Sequence, residues 1–113
     1  MLKFDGLYAS KLAVDPVFVS FSYLRFYQDG TVLETTVAGA RSADIMSWFH
    51  RSNDTVGQGP YSLSGNSIEF AVRSESGVVD YWGKIVGDEL HLEFLSHING
   101  NRGNDEYSFI ASS

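Results

Sequence analysis

Few residues in this chain have the types and spacing that chemistry needs. Its three histidines are His50, His91 and His97. His91 and His97 share strand parity with Glu93, but six residues of extended chain span roughly 20 Å. They cannot chelate one ion without a third element such as His50, so no metal site is expected, and His91 reads as a surface residue opposite Lys84. Ser96, His97 and Asp105 supply the residue types of a hydrolase. Ser96 and His97 are adjacent in a strand, however, and point to opposite faces, so they cannot serve as nucleophile and base. Gly57-x-Gly59 lacks the further glycines and the lysine of a phosphate loop, and no His-Glu-x-x-His, paired-cysteine or calcium-loop pattern occurs. No cofactor is expected, and no two ionisable groups converge as an enzyme would require.

Arg25 is the residue that leaves a question open. It lies between Tyr23 and Tyr27 on one face of a long strand, with Glu34 as a cross-strand partner. If that face is interior, Tyr23, Arg25, Tyr27 and Glu34 make a polar patch whose guanidinium fork suits a carboxylate or carbonyl group. If it is exterior, the pair is a surface ion pair of small worth, and Leu24 and Phe26 take the buried side.

The elements that must position these groups are strands. Phe4 to Leu12 alternates, with Leu7 and Ala9 on one face and Tyr8 and Ser10 on the other. Asp15-Pro16 breaks it. Val17 to Tyr27 is apolar on both faces, which requires a central place or an outer cover. Gln28-Asp29-Gly30 is a hairpin turn with two admissible registers. A two-residue loop pairs Phe26 with Leu33 and Arg25 with Glu34. A three-residue loop with left-handed Gly30 pairs Phe26 with Val32. Thr31 to Val37 returns. Over residues 43–50 the spacing of Ile45, Trp48 and Phe49 predicts one short helical turn, capped by Ser42, that covers or plugs the sheet.

The segment from Gly59 to Phe94 is the clearest part of the chain. Turns at Gly65-Asn66, Ser74 to Gly77 and Gly87-Asp88 independently place one set on one face. That set is Tyr61, Leu63, Ile68, Phe70, Val72, Val79, Tyr81, Gly83, Ile85, Leu90, Leu92 and Phe94. Ser62, Glu69, Arg73, Asp80, Trp82, Lys84, His91 and Glu93 take the other face, the division a one-sided antiparallel sheet needs. Ser96 follows Phe94 in parity and points inward near one end. Residues 99–105 read as a polar loop, with a turn at Asn99-Gly100, and Glu106 to Ala111 as a last strand with Tyr107 and Phe109 on one face. Eight strands with short connections leave two edges unless they close. The predicted fold is therefore an all-β, eight-stranded antiparallel up-and-down barrel over 1–113 as one domain.

The composition narrows partners. A formal net charge of -6 with scattered lysines and arginines argues against nucleic acid or an anionic membrane surface. There is no cysteine, and hydrophobic residues make up 43%, enough for a packed core. No apolar run follows Met1-Leu2-Lys3-Phe4-Asp5 and none reaches membrane-span length, so a cytoplasmic location is the default expectation.

Several runs carry a resemblance. They are Phe4-Asp5-Gly6-Leu7-Tyr8, the segment from Leu24 to Val32 with its Gln28-Asp29-Gly30 turn, the Gly-x-Tyr-x-Leu-x-Gly-Asn run at Gly59 to Asn66, and the Gly87-Asp88 turn before Leu90 to Leu92. Together they resemble the small bacterial lipocalin-like barrels of the calycin type. Gly6-Leu7-Tyr8 stands where lipocalins carry Gly-x-Trp. The resemblance implies binding of a small, mostly apolar ligand inside the barrel. The expected lining is Tyr61, Phe70, Tyr81, Leu92, Phe94 and Tyr107, opening near Trp48 and Phe49, with Arg25 joining if its face is interior. The competing reading is a non-catalytic structural or interaction module with a filled barrel, pairing as a homodimer through a stripe of Trp82, Val86 and Leu95.

Overall fold

The computed structural model describes residues 2–13, 19–38, 49–50 and 56–111. Eight antiparallel strands run in chain order: β1 (Gly6–Ala13), β2 (Val19–Phe26), β3 (Thr31–Ala38), β4 (Gly57–Ser64), β5 (Ser67–Ser74), β6 (Gly77–Val86), β7 (Glu89–Ser96) and β8 (Arg102–Ala111). Each pairs with its sequence neighbours, and β1 closes on β8 through Gly6↔Ala111 to Ala9↔Ser108. The result is the expected up-and-down barrel, which leaves no sheet edge between its first and last strands. The expected helical turn over 43–50 falls outside the described residues apart from Phe49 and His50. No helix among the described residues is long and apolar enough to cross a membrane.

Turn chemistry sets the registers. Gly65 and Gly87 each stand first in a two-residue turn with φ of 61°, the conformation of the hairpin turns that match strand twist. They give Leu63↔Ile68, Tyr61↔Phe70, Ile85↔Leu90 and Tyr81↔Phe94, as the alternation requires. The open register at Gln28-Asp29-Gly30 resolves to the three-residue loop. Gly30 has φ of 95°, the Tyr27 amide donates to the Thr31 carbonyl at 2.8 Å, and Phe26 pairs with Val32.

That register sends Leu24, Phe26, Val32 and Glu34 inward and Tyr23, Arg25 and Leu33 outward. The inner core gathers Tyr8, Leu24, Phe26, Val32, Ile68, Phe70, Val72, Tyr81, Ile85, Leu90, Leu92 and Tyr107. Toward the end that carries the Gly30, Gly65 and Gly87 turns, aromatic rings fill it. Phe26 meets Tyr8, Tyr61 and Phe70 edge-on with centroids at 5.6, 5.3 and 5.6 Å, and Tyr8 meets Phe109 at 5.2 Å. Phe70 stacks on Tyr81 at 4.8 Å. Offset and edge-on pairs of this kind add about 0.5–1.5 kcal/mol each beyond their buried area.

A second apolar cluster lies outside the barrel wall. Leu7, Tyr23 and Leu33 are covered by Phe49 and Val56, so the two-sided apolar character of β2 is met by an outer cover. Arg25 Nη1 donates to the Phe49 carbonyl at 2.6 Å and its guanidinium lies 5.2 Å from the Tyr27 ring centroid.

Three sequence expectations are corrected. Leu63 has inward parity but is 48% exposed. Pairing of β3 with β4 stops at Thr31↔Pro60, so Leu63 projects past the wall with only β5 beside it. The stretch Arg102 to Asp105 is strand, not loop, paired with Leu92 to Leu95. Its poor intrinsic strand propensity is overridden by the ladder with β7, and Gly103 leaves room for the Phe94 ring, whose Cζ would lie 3.0 Å from an added Cβ. Arg25 and Glu34 do not pair, because Arg25 sits opposite Leu33 while Glu34 sits opposite Leu24.

Candidate functional site in the barrel interior

Toward the end where the chain turns from β7 to β8, the aromatic filling stops and polar side chains take over. β2 contributes Ser22, β3 Glu34 and Thr36, β6 Val79 and Tyr81, β7 Phe94 and Ser96, and β8 Asp105 and Tyr107. With Ile98 they line a cavity of 270 Å³. Each polar group reaches it by strand alternation. Asp105 and Tyr107 continue the inward parity of Gly103, Glu34 continues that of Val32, and Ser22 that of Leu24.

Tyr107 donates to Ser22 Oγ at 3.2 Å. Burial pushes the Tyr81 and Tyr107 phenols well above their ordinary range, and the neighbouring Tyr107 raises Tyr81 further. Both remain protonated at physiological pH. Glu34 is also raised by burial, partly offset by Thr36 Oγ1, which donates to Glu34 Oε1 at 3.1 Å. Ser96 is 8% exposed, and its Oγ accepts from the Ile98 amide at 3.2 Å. Ser10 stands opposite Ser22 on the inward face. Its Oγ is buried and makes no hydrogen bond.

Of the residues expected to line the interior, Tyr81, Phe94 and Tyr107 come together at this cavity. Phe70 and Leu92 lie deeper in the packed core, and Tyr61 is half-buried at the aromatic end, its hydroxyl donating to the Tyr27 carbonyl at 2.6 Å. Phe49 and Arg25 sit on the outer face, across the barrel wall, and are not part of the cavity. Trp48 lies outside the described residues. Ser22, Thr36 and Asp105 were not expected as lining, and Glu34 was expected inside only in company with Arg25. Parity from Tyr107 points to Asp105, and the Gly30 register points to Glu34.

Elsewhere the polar groups are on the outer face. Ser96 and His97 diverge as alternation demands, and His97 Nε2 bonds to Asp80 Oδ2 at 2.7 Å. Glu89, His91 and Glu106 bring ligand-type atoms within 4.8 Å of one another. They are exposed, with His91 Nε2 already bonded to Glu89 Oε1 at 2.9 Å. Trp82 is outward, 38% exposed, and its indole donates to Glu93 Oε2 at 3.1 Å.

A closed eight-stranded up-and-down wall around a partly filled interior is the architecture of lipocalin-like, calycin-type barrels. Among solved structures, the fatty-acid-binding protein isolated from Manduca sexta is similar, with 13% identity, a TM-score of 0.43, and coverage of 94% of this chain and 99% of that one. No family model and no curated protein matches the chain.

Proposed function

We propose that the protein binds a small molecule in the polar end of its barrel. The observation that carries this reading is the 270 Å³ cavity around the bonded Tyr107–Ser22 hydroxyls and the carboxylates of Glu34 and Asp105, all supplied by inward-facing strand positions. Polar groups held inside a barrel cost stability unless they are satisfied, and an interior filled with apolar side chains would avoid that cost. The volume lies just below the ~300–1,000 Å³ of drug-sized sites. The rest of the interior is packed with aromatic rings, so the occupant is compact and not a long acyl chain. The test is an NMR screen of small fragments, spanning cations, neutral alcohols and anions, that follows the amides of Ser22, Tyr81 and Tyr107. Saturable shifts at these positions, lost when Val79→Phe narrows the cavity, support the reading. No shift from any chemical class would overturn it.

A second reading is favoured by a separate observation. Leu63, Trp82 and Val86 are exposed and border a 620 Å³ groove lined by residues of β4, β5, β6 and β7. Clustered exposed apolar groups suit a contact surface, here one between two copies of the chain. Leu95 is half-buried and lies outside this groove. Sedimentation of the wild type across a concentration series tests it, with Trp82→Glu expected to shift any dimer to monomer.

A further inference from the structure

The choice of ligand follows from which hydrogen-bonding capacity the cavity has left to offer. Tyr107 spends its hydroxyl hydrogen on Ser22 and Thr36 spends its own on Glu34, while Ser22 and Ser96 Oγ accept in the bonds they make. Among the described residues the charged groups facing the cavity are both acceptors: Glu34, whose Oε1 takes the Thr36 bond, and Asp105, whose Oδ1 takes the Glu106 amide at 3.1 Å. No Lys, Arg or His among the described residues lines the cavity, whereas two carboxylates do. An anionic ligand would meet like charge with no cation to receive it. We infer that the site takes a small organic cation carrying N–H donors, a primary ammonium or amidinium, with Glu34 as its charged partner and Asp105 as a second acceptor. The inference rests on the reading of the interior as a binding site.

Two further features fit a cation. Burial raises the Glu34 pKa, and a positive group seated beside it would favour the ionised form that burial alone disfavours. Tyr81 and Phe94 supply ring surface beside the carboxylates, and their rings lie 6.3 Å apart. Aromatic faces attract organic cations.

The experiment uses three probes of one shape: n-butylamine, 1-butanol and butyrate, each titrated into the isotope-labelled full chain at neutral pH. The expected result is saturable shifts at Ser22, Tyr81 and Tyr107 with butylamine, at about tenfold or more higher affinity than with butanol, a charge-assisted bond being roughly twice as strong as a neutral one. Glu34→Gln should remove that advantage and leave butanol unchanged. Asp105→Asn gives the same test from β8 should the first variant fail to fold. Butanol or butyrate binding as tightly as butylamine overturns the charge assignment and keeps the interior site. Binding by fragments of the wider screen with none by butylamine does the same. Silence from every compound in both experiments overturns the interior reading as well.

Discussion

The buried Tyr107–Ser22 hydrogen bond makes a quantitative prediction. Ser22→Ala removes the oxygen that accepts from the Tyr107 hydroxyl at 3.2 Å. The lost bond is worth about 0.5–1.5 kcal/mol net, and a buried donor left unsatisfied adds roughly 1 kcal/mol more. Tyr107 is 3% exposed, so its orphaned hydroxyl places the total at about 2 kcal/mol. Tyr107→Phe removes the same bond and leaves only a spare acceptor on Ser22, for a loss of about 1 kcal/mol. The double variant loses that one bond and orphans no donor, so it should lose about 2 kcal/mol less than the sum of the single variants. For a chain of 113 residues, a loss of 1 kcal/mol lowers Tm by about 4 °C. The four proteins would be compared by urea and thermal denaturation followed by circular dichroism. A Ser22→Ala variant no less stable than Tyr107→Phe, or strict additivity in the double variant, would refute the donor assignment.

Glu34→Gln should raise stability at neutral pH. A carboxyl whose folded pKa is raised contributes fully below its unfolded pKa, and that contribution is lost as pH rises through the folded value. The gain over wild type should therefore shrink toward zero as pH falls to the ordinary glutamate value, and an equal gain at all pH values would contradict burial as the cause. Gly83→Ala places a Cβ 2.0 Å from the His91 carbonyl oxygen. Since backbone must give way, a loss of about 1–3 kcal/mol is expected, with faster hydrogen exchange along β6 and β7. Arg25→Met removes the bond that ties the Phe49 carbonyl to the wall. Faster exchange at the Phe49 and Val56 amides, with β5 to β7 unchanged, is the expected outcome.

Much of this barrel is legible in the residue pattern because local turn chemistry and alternation agree from Gly59 to Phe94. Gly65 and Gly87 can be read as turn formers without knowing what the strands pack against. The hairpin at Gly30 admits two registers, and only packing of Leu24 and Phe26 against Tyr8 and Phe70 selects between them. That selection turned Glu34 inward and Arg25 outward, so the most informative polar residue was assigned to the wrong partnership. Asp105 was misread for a related reason. Gly103-Asn104-Asp105 has the composition of a loop, and its strand geometry comes from pairing with Leu92 to Phe94 of β7. Spacing marks the Phe49 segment as a cover, but its seat over Leu7, Tyr23 and Leu33 is a contact between distant segments that no periodicity reports.

The division of the interior along its axis has a consequence for how such a chain can change. The Tyr8, Phe26, Phe70 and Phe109 rings hold the wall together at one end, while Ser22, Glu34, Asp105 and Tyr107 confront the cavity at the other. On the proposed binding role, substitutions at Ser22, Glu34 and Asp105 would alter what is recognised and leave the ring packing that closes β1 on β8 in place. Selectivity and foldability would then draw on nearly separate sets of positions, with Tyr107 shared between them. Exchanging the sign or size of the polar group would be a short mutational path to a different ligand on the same scaffold.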